Sequence, residues 1–344
     1  MTALHSELEA RRQTLIEKEP KLRARDIAAR LGISEAELVA LGSNEATTLR
    51  LKPDWPGIIA DVPTLGRVMA LTRNEDCVHE RKGVYGELEG GSHVGLIVGE
   101  DIDLRIFFSQ WRFGFAVSEG ARHSLQFFDR SGSAIHKIYL TETSDVTAFD
   151  ELVARWTVEA TPLDIKPKRE PRAPLPDSEI DVSGFQVAWD AMTDTHDFHG
   201  VLAKFKVDRA QAFRLAGETR ARAVPTASLR NLMARAVERK TPIMVFVGNP
   251  GMIQIHTGEI VNLKTMGPWF NVLDESFNLH LREDMIASAF VVWKPGDTGM
   301  VTSLELFNPD GELIANLFGK RKPGQPEDEA WRALVADLFT KEAA

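Results

Sequence analysis

Two histidines three residues apart are the part of the sequence best suited to chemistry. His196 and His199 lie in a segment whose apolar residues have helical spacing, residues 185–205. Imidazole binds transition metals when neutral and titrates near physiological pH. A zinc site is disfavoured, because Cys77 is the single cysteine and no third ligand accompanies the pair. These residues alone leave three interpretations open: a metal ligand, a buried histidine bonded to a backbone carbonyl, and a surface histidine without a role.

A helix over residues 185–205 would give His196 an apolar setting. One face of that helix carries Trp189, Met192, His196 and Gly200. Gly200 would let a large flat ligand approach the backbone one turn beyond His196. The neighbouring face is apolar and is formed by Phe198, Val201, Leu202 and Phe205.

The order of elements is the same on both sides of a proline-rich segment, which predicts an internal duplication. We expect a first repeat at residues 1–160, an extended linker at 161–181 and a second repeat at 182–344. An offset of 174 places His196 opposite Leu22, so only the second repeat has the histidine. The matched sets are Val62-Pro63-Thr64 with Val224-Pro225-Thr226, Glu80-Arg81-Lys82 with Glu238-Arg239-Lys240, residues 124–128 with 303–307, Ile33, Ala36 and Leu41 with Val207, Ala210 and Leu215, and Leu104 and Ile106 with Leu279 and Leu281.

Each half begins with helical periodicity and ends with the alternation of β-strands. This pattern predicts an α+β tandem repeat in which an N-terminal helical segment precedes a largely antiparallel, meandering sheet. In the second half a turn at residues 248–251 separates two strands of a predicted hairpin. The predicted strands there are residues 242–247, 252–256, 270–273, 277–282, 289–294 and 302–307.

Composition limits the partners and the compartment. The 41 Lys and Arg residues and 50 Asp and Glu residues give a net charge of 41 − 50 = −9, so no general attraction to nucleic acid or anionic membranes is expected. Residues 1–20 are charged throughout and no apolar run is long enough to span a bilayer, so we expect a cytoplasmic protein that is not membrane-embedded. The oligomeric state cannot be read from the sequence.

Residues 22–41 resemble a DNA-binding helix-turn-helix, with two short amphipathic helices around Gly32. Glu35 and Glu37 open the second helix, where DNA phosphates would require cations. The same element recurs at residues 204–215. A structural helical hairpin is therefore preferred over a transcriptional regulator, and no specific nucleic-acid partner is expected.

The chain resembles the bacterial hemin-degrading and haem-transport family, cytoplasmic proteins encoded with haem uptake systems. The resemblance extends over nearly the whole chain. It is carried by residues 24–28, 73–75, 103–107, 191–196, 243–249, 278–281 and 301–305.

The resemblance implies a ligand and a set of site residues. The ligand is haem b, bound non-covalently because the sequence has no C-x-x-C-H motif. His196 corresponds to the axial ligand of the iron, His199 is an alternate ligand, and Arg105 corresponds to an arginine on the opposite, distal face that acts in catalysis. The residues implied to hold the haem propionates or to wall the porphyrin are Arg209, Lys294, Arg321, Phe246 and Phe318.

Two haem functions remain open, because both use the same ligands. An enzyme would open the porphyrin with oxygen and release its iron, with electrons from an external reductase, since no nucleotide-binding G-x-G-x-x-G follows a predicted strand. A carrier would take hemin from an inner-membrane haem transporter and deliver it to a haem oxygenase. Either role belongs to haem uptake and iron acquisition.

Overall fold

The computed structural model describes residues 3–20, 22–43, 46–168, 174–321 and 324–339. Its chain divides into two units. Unit 1 consists of the described residues within 1–73, 80–170 and 249–253, and unit 2 of those within 74–79, 171–248 and 254–344. Each unit thus includes one short segment from the other half of the sequence. Among the described residues, no helix combines the length and apolar composition that crossing a bilayer requires.

Unit 1 mixes helices with antiparallel strands. Its helices are α1 (Ala3–Lys18), α2 (Ala24–Leu31), α3 (Glu35–Leu41), α4 (Trp55–Asp61) and α5 (Val146–Trp156). Its strands are β1 (Ala46–Arg50), β2 (Arg67–Arg73), β4 (Glu89–Gly90), β5 (Val94–Ile97), β6 (Asp103–Phe107), β7 (Phe113–Glu119), β8 (Arg122–Phe128) and β9 (Ala134–Leu140). A further strand, β3 (Cys77–Val84), contributes residues to both units.

The strands of unit 1 pair in two antiparallel groups, in the orders β1-β7-β8-β9-β2 and β4-β5-β6. Strands such as β2 and β6 alternate buried with partly exposed residues, because one face of each packs into the core. The core includes Ile58, Leu65, Leu104, Ile106 and Phe127, all fully buried.

Unit 2 also combines helices with antiparallel strands. Its helices are α6 (Val182–Asp190), α7 (Asp197–Phe205), α8 (Arg209–Leu215), α9 (Ser228–Arg239) and α10 (Glu329–Ala336). Its strands are β10 (Ala221–Val224), β11 (Ile243–Asn249), β13 (Leu263–Met266), β14 (Trp269–Leu273), β15 (Phe277–Arg282), β16 (Ser288–Gly296), β17 (Gly299–Phe307) and β18 (Leu313–Gly319), and β12 (Met252–Gly258) is divided between the units.

The sheets of unit 2 have the orders β10-β16-β17-β18-β11 and β13-β14-β15. All six strands predicted for this half are present, with ends that differ by up to three residues. Three described strands of this half were not predicted. They are β10, which has only four residues, β13, which is mostly exposed, and β18, which follows the turn at Asn308.

The tandem repeat and the α+β class are confirmed, and three of the five matched sequence pairs lie on equivalent elements. These are α3 with α8, β6 with β15, and β8 with β17. The other two pairs are wrong. Residues 62–64 lie in a 3₁₀ turn (Val62–Leu65), whereas Val224 is the last residue of β10 and residues 225–226 follow it. Residues 80–82 belong to β3, whereas residues 238–239 end α9 and Lys240 follows it. Short identical tripeptides recur by chance, whereas periodic apolar positions recur because they pack in the core.

The connection between α2 and α3 has the same local structure as the connection between α7 and α8. The first helix of each pair ends at a residue with left-handed backbone, Gly32 at φ 73° and Lys206 at φ 56°. The second begins after a polar cap, Ser34 or Asp208, whose side chain accepts a backbone N–H. The predicted structural hairpin at residues 22–41 is thus one copy of a motif that both repeats use.

Candidate functional site

The predicted continuous helix over residues 185–205 is wrong. Helix α6 ends at Asp190 and α7 begins at Asp197. Between them the carboxylate of Asp197 accepts the backbone N–H groups of Thr193 and Asp194 at 3.3 and 3.1 Å. Aspartate and threonine compete for backbone hydrogen bonds in this way, which favours caps and turns over helix interiors. The threonine and aspartate residues at 193–195 were therefore a sequence indication that the helix is interrupted here.

His196 therefore stands at the N-terminal end of α7 rather than in mid-helix. Its side chain is 85% exposed, and its Nδ1 lies 2.6 Å from Oδ1 of Asp194. The same oxygen accepts the backbone N–H of His196 at 2.8 Å. With Nδ1–H donating to the carboxylate, Nε2 keeps its lone pair and faces away from Asp194, the arrangement usual for a metal-binding histidine. Asp194 was not predicted, although it lies only two residues before His196.

The charge of Asp194 is stabilised locally. The backbone N–H and imidazole of His196 lower the pKa of the Asp194 carboxyl group, and Arg321 adds to the shift. Arg321 follows β18 and forms no ion pair with any other described residue. The structure thus brings His196, Asp194 and the positive charge of Arg321 into one neighbourhood of unit 2.

His199 lies one turn after His196 on α7, and its side chain is exposed. Partial desolvation lowers the pKa of His199, and the positive charges of Arg209 and Lys294 lower it further. The lowered pKa favours the neutral imidazole, which is the form that binds metal.

Arg209 and Lys294 share a buried carboxylate. Arg209 Nε lies 2.6 Å from Oε2 of Glu305, and Lys294 Nζ lies 2.6 Å from its Oε1. Ser303 Oγ donates to the same Oε1 at 3.0 Å. Glu305 was not predicted, because nothing in the sequence indicates which acid pairs with two distant cations. The cluster contains two positive charges and one negative charge, leaving a net charge of +1.

Aromatic rings connect this cluster to α7. Phe198, on α7, has Lys294 Nζ 4.7 Å and the Arg209 guanidinium 5.3 Å from its ring centroid. Phe213, on α8, stacks on Phe198 with centroids 5.7 Å apart. Cations over aromatic faces are attracted by the ring quadrupole. The charged cluster therefore helps to hold the helix that begins beside His196.

The two predicted wall residues, Phe246 and Phe318, are neighbours on the paired strands β11 and β18. Their half-buried rings lie 4.9 Å apart at 62°. They form a small aromatic surface on the sheet of unit 2.

Arg105 belongs to unit 1. It lies on β6 between the buried residues Leu104 and Ile106, and it is partly exposed, so its predicted orientation away from both is confirmed. Its guanidinium is paired with Asp103 two residues earlier on the same strand. Its distal role stays a prediction.

The family model described as the haemin-degrading HemS.ChuX domain matches the chain twice, at residues 32–156 and 206–338. The chain is 41% identical over 331 residues to the hemin transport protein HemS of Yersinia enterocolitica, covering 93% of this chain and 94% of that protein. It is 40% identical over 327 residues to the hemin transport protein HmuS of Yersinia pestis, with the same coverage.

Solved structures with the same fold cover both halves. The apo form of PhuS, a heme-binding protein from Pseudomonas aeruginosa, is 47% identical and superimposes with a TM-score of 0.92 over 97% of this chain and 98% of that one. The heme-degrading enzyme ChuS of Escherichia coli O157:H7 is 37% identical, with a TM-score of 0.91 over 98% of this chain and 100% of that one.

Proposed function

Because the chain belongs to the haemin-degrading HemS.ChuX family, we propose that it binds hemin through His196. The observation that carries this proposal is the exposed imidazole whose Nδ1 is engaged by Asp194 at 2.6 Å. A carboxylate on the far nitrogen fixes the tautomer and makes Nε2 a better iron ligand. Asp194 is then a positioning residue for the iron ligand.

We assign the propionates of hemin to the cations around this histidine. Arg321 forms no ion pair with a described residue and can take a carboxylate without breaking one. Arg209 and Lys294 can share their contacts between Glu305 and a propionate, since their cluster retains a net positive charge. Phe246 and Phe318 offer an apolar wall for the porphyrin.

Hemin bound in this way is handled as a substrate rather than kept as a permanent cofactor. One protein ligand leaves the sixth position of the iron open, and Arg105 is the residue we assign to that distal side. We propose oxidative opening of the porphyrin, with an external reductase as electron donor in the cytoplasm. The solved relative named a heme-degrading enzyme supports this assignment.

Delivery of intact hemin is the second candidate function. The 85% exposure of His196 favours it, because an acceptor protein could reach the iron ligand without unfolding α7. The curated relatives named hemin transport proteins support it as well. An inner-membrane transporter would supply the hemin and a haem oxygenase would receive it.

Hemin titration of the Asp194→Asn variant tests the binding site. We expect affinity to fall by roughly 10- to 100-fold, the usual effect of removing the partner of a metal-binding histidine. Asp190→Asn is the control, because Asp190 pairs with Arg220 and not with His196. Unchanged affinity and an unchanged Soret band in Asp194→Asn would refute this arrangement.

Supplying a reductase and oxygen to the hemin complex, with catalase present, tests the fate of the ligand. A linear tetrapyrrole and free iron support degradation. Intact hemin that passes to apomyoglobin supports delivery instead. Neither product nor transfer would refute both functions.

A further inference from the structure

Arg50, at the end of β1 in unit 1, is a half-buried cation with no anionic partner among the residues that the structure describes. Its guanidinium carbon lies 4.9 Å from the ring centroids of both Phe113 and Phe115. Its Nη1 is buried and has no hydrogen-bond partner among the described residues. Two phenyl rings thus hold the guanidinium in place while one of its donors stays unused.

A second arginine, Arg112, directly precedes β7 and lies three residues before Phe115, the residue that pairs with Arg50. Burial lowers the pKa of Arg50, and the positive charge of Arg112 lowers it further. Arg112 is exposed, and neither arginine forms a salt bridge with another residue in the described part of the chain. Two like charges in one region, with no carboxylate beside them among the described residues, repel each other, and a bound anion would relieve that repulsion.

The second repeat shows that the scaffold does not need these arginines. Arg50 is paired with Phe115 in the β1–β7 ladder, and the equivalent pair in the β10–β16 ladder is Ala223 with Phe290. The backbone N–H of Arg112 donates to the carbonyl oxygen of Phe128 at 2.8 Å. The backbone N–H of Ala287 makes the same bond to the carbonyl oxygen of Phe307 at 2.8 Å, so Ala287 is the equivalent of Arg112. Both arginines are therefore replaced by alanine where the same sheet is built a second time.

We propose that Arg50 and Arg112 form a binding site for an oxyanion, a phosphate or a carboxylate, on unit 1. The guanidinium of Arg50 is fixed by Phe113 and Phe115, and its planar fork of N–H donors matches the oxygen atoms of such groups. Arg112, at the surface, closes the site and adds the second charge. This site uses none of the residues assigned to hemin, so it stands independently of the proposed function.

Calorimetric titration of the full chain with inorganic phosphate, acetate and chloride at equal ionic strength tests the proposal. We expect phosphate or acetate to bind and chloride not to bind, and the anion with the higher affinity identifies the chemistry. Arg50→Gln and Arg112→Gln should each weaken binding by about tenfold or more. Arg155→Gln is the matched control, because it removes an exposed charge of unit 1 that is already paired with Asp61 at 2.9 Å.

Thermal unfolding separates loss of the site from loss of the fold. In chloride, Arg112→Gln should unfold at the same temperature as the parent protein. Phosphate or acetate should raise the unfolding midpoint of the parent and of Arg155→Gln, but not that of Arg112→Gln. Arg112→Gln decides the matter if Arg50→Gln proves unstable, since Arg112 is exposed. Equal responses of parent and Arg112→Gln, or no response of the parent to either oxyanion, would overturn the proposal.

Discussion

Lys294 Nζ donates a 2.6 Å hydrogen bond to Oε1 of Glu305, and both side chains are almost completely excluded from solvent. Burial lowers the pKa of Lys294 to about 8 against the opposing effect of Glu305. Burial alone would raise the pKa of Glu305, but Arg209 and Lys294 bring it down to about 2. Lys294 is therefore the member of this cluster whose charge changes near physiological pH.

We expect hemin affinity to fall as the pH rises through about 8, because Lys294 then loses its proton. The net charge of the cluster drops from +1 to 0, which weakens its attraction for a propionate by about tenfold. Lys294→Arg should lack this loss, since a guanidinium stays protonated. Hemin dissociation constants measured from pH 7 to 9 check the prediction. Identical pH profiles for parent and Lys294→Arg would show that another group titrates.

The two histidines of α7 should contribute unequally. His196→Ala should weaken hemin binding and shift the Soret band, with residual binding through His199, whose lowered pKa keeps it neutral. His199→Ala should change the spectrum little. The double variant should lose the histidine-ligated spectrum, and Leu22→Ala in the first repeat serves as the control. A double variant with the parental spectrum would remove α7 from the iron site.

The repeated fold could be predicted because it depends on periodic apolar positions. The alternation of Leu104 and Ile106, and of Leu279 and Leu281, recurs where equivalent strands pack into equivalent cores. The break between α6 and α7 was predictable in principle, since residues 193–197 are rich in aspartate and threonine. Helical spacing across the break masked it, because Trp189 in α6 and Phe198 in α7 are both buried although the helix is interrupted between them.

The pairing within the site could not be predicted. Arg209, Lys294 and Glu305 come from α8, β16 and β17, and they meet through tertiary packing that a linear pattern does not specify. The sequence identified the two cations through resemblance but gave no sign that both contact one buried acid. Ion pairs between distant residues follow from strand register and side-chain length, which composition and periodicity do not contain.

Arg105 should act on the sixth ligand of the iron rather than on the fold. Its partner Asp103 is on the same strand, and its side chain is about one-third exposed, so its removal opens no cavity in the core. Arg105→Ala should keep hemin affinity within about tenfold, or about 1.4 kcal/mol, but change the pKa of iron-bound water. Spectrophotometric titration of the hemin complex measures that pKa. A parental value would exclude Arg105 from the distal side.

Unit 1 contains a second cluster of one carboxylate and two cations. Glu35, the first residue of α3, accepts from Lys137 Nζ at 2.6 Å and also pairs with Arg73. Arg209 is the first residue of α8, so the charge at this equivalent position is reversed between the repeats. Glu35 is 7% exposed, and its two cations are largely covered as well.

Glu35→Gln should lower the free energy of unfolding by about 3 kcal/mol at pH 7, because it leaves two largely buried cations without their anion. Burial raises the pKa of Glu35, but Lys137 and Arg73 outweigh it and lower the value to about 2, below the unfolded value near 4.5. The stabilisation is thus complete above pH 4.5 and is lost as the pH falls toward 2, by about 1.4 kcal/mol per unit. Urea unfolding at pH 7 and pH 3.5 should show a smaller deficit at the lower pH. Glu151→Gln, at an exposed position of α5, is the control and should lose no unfolding free energy at either pH. If the loss in Glu35→Gln were the same at both pH values, the charge of the carboxylate would not be its source.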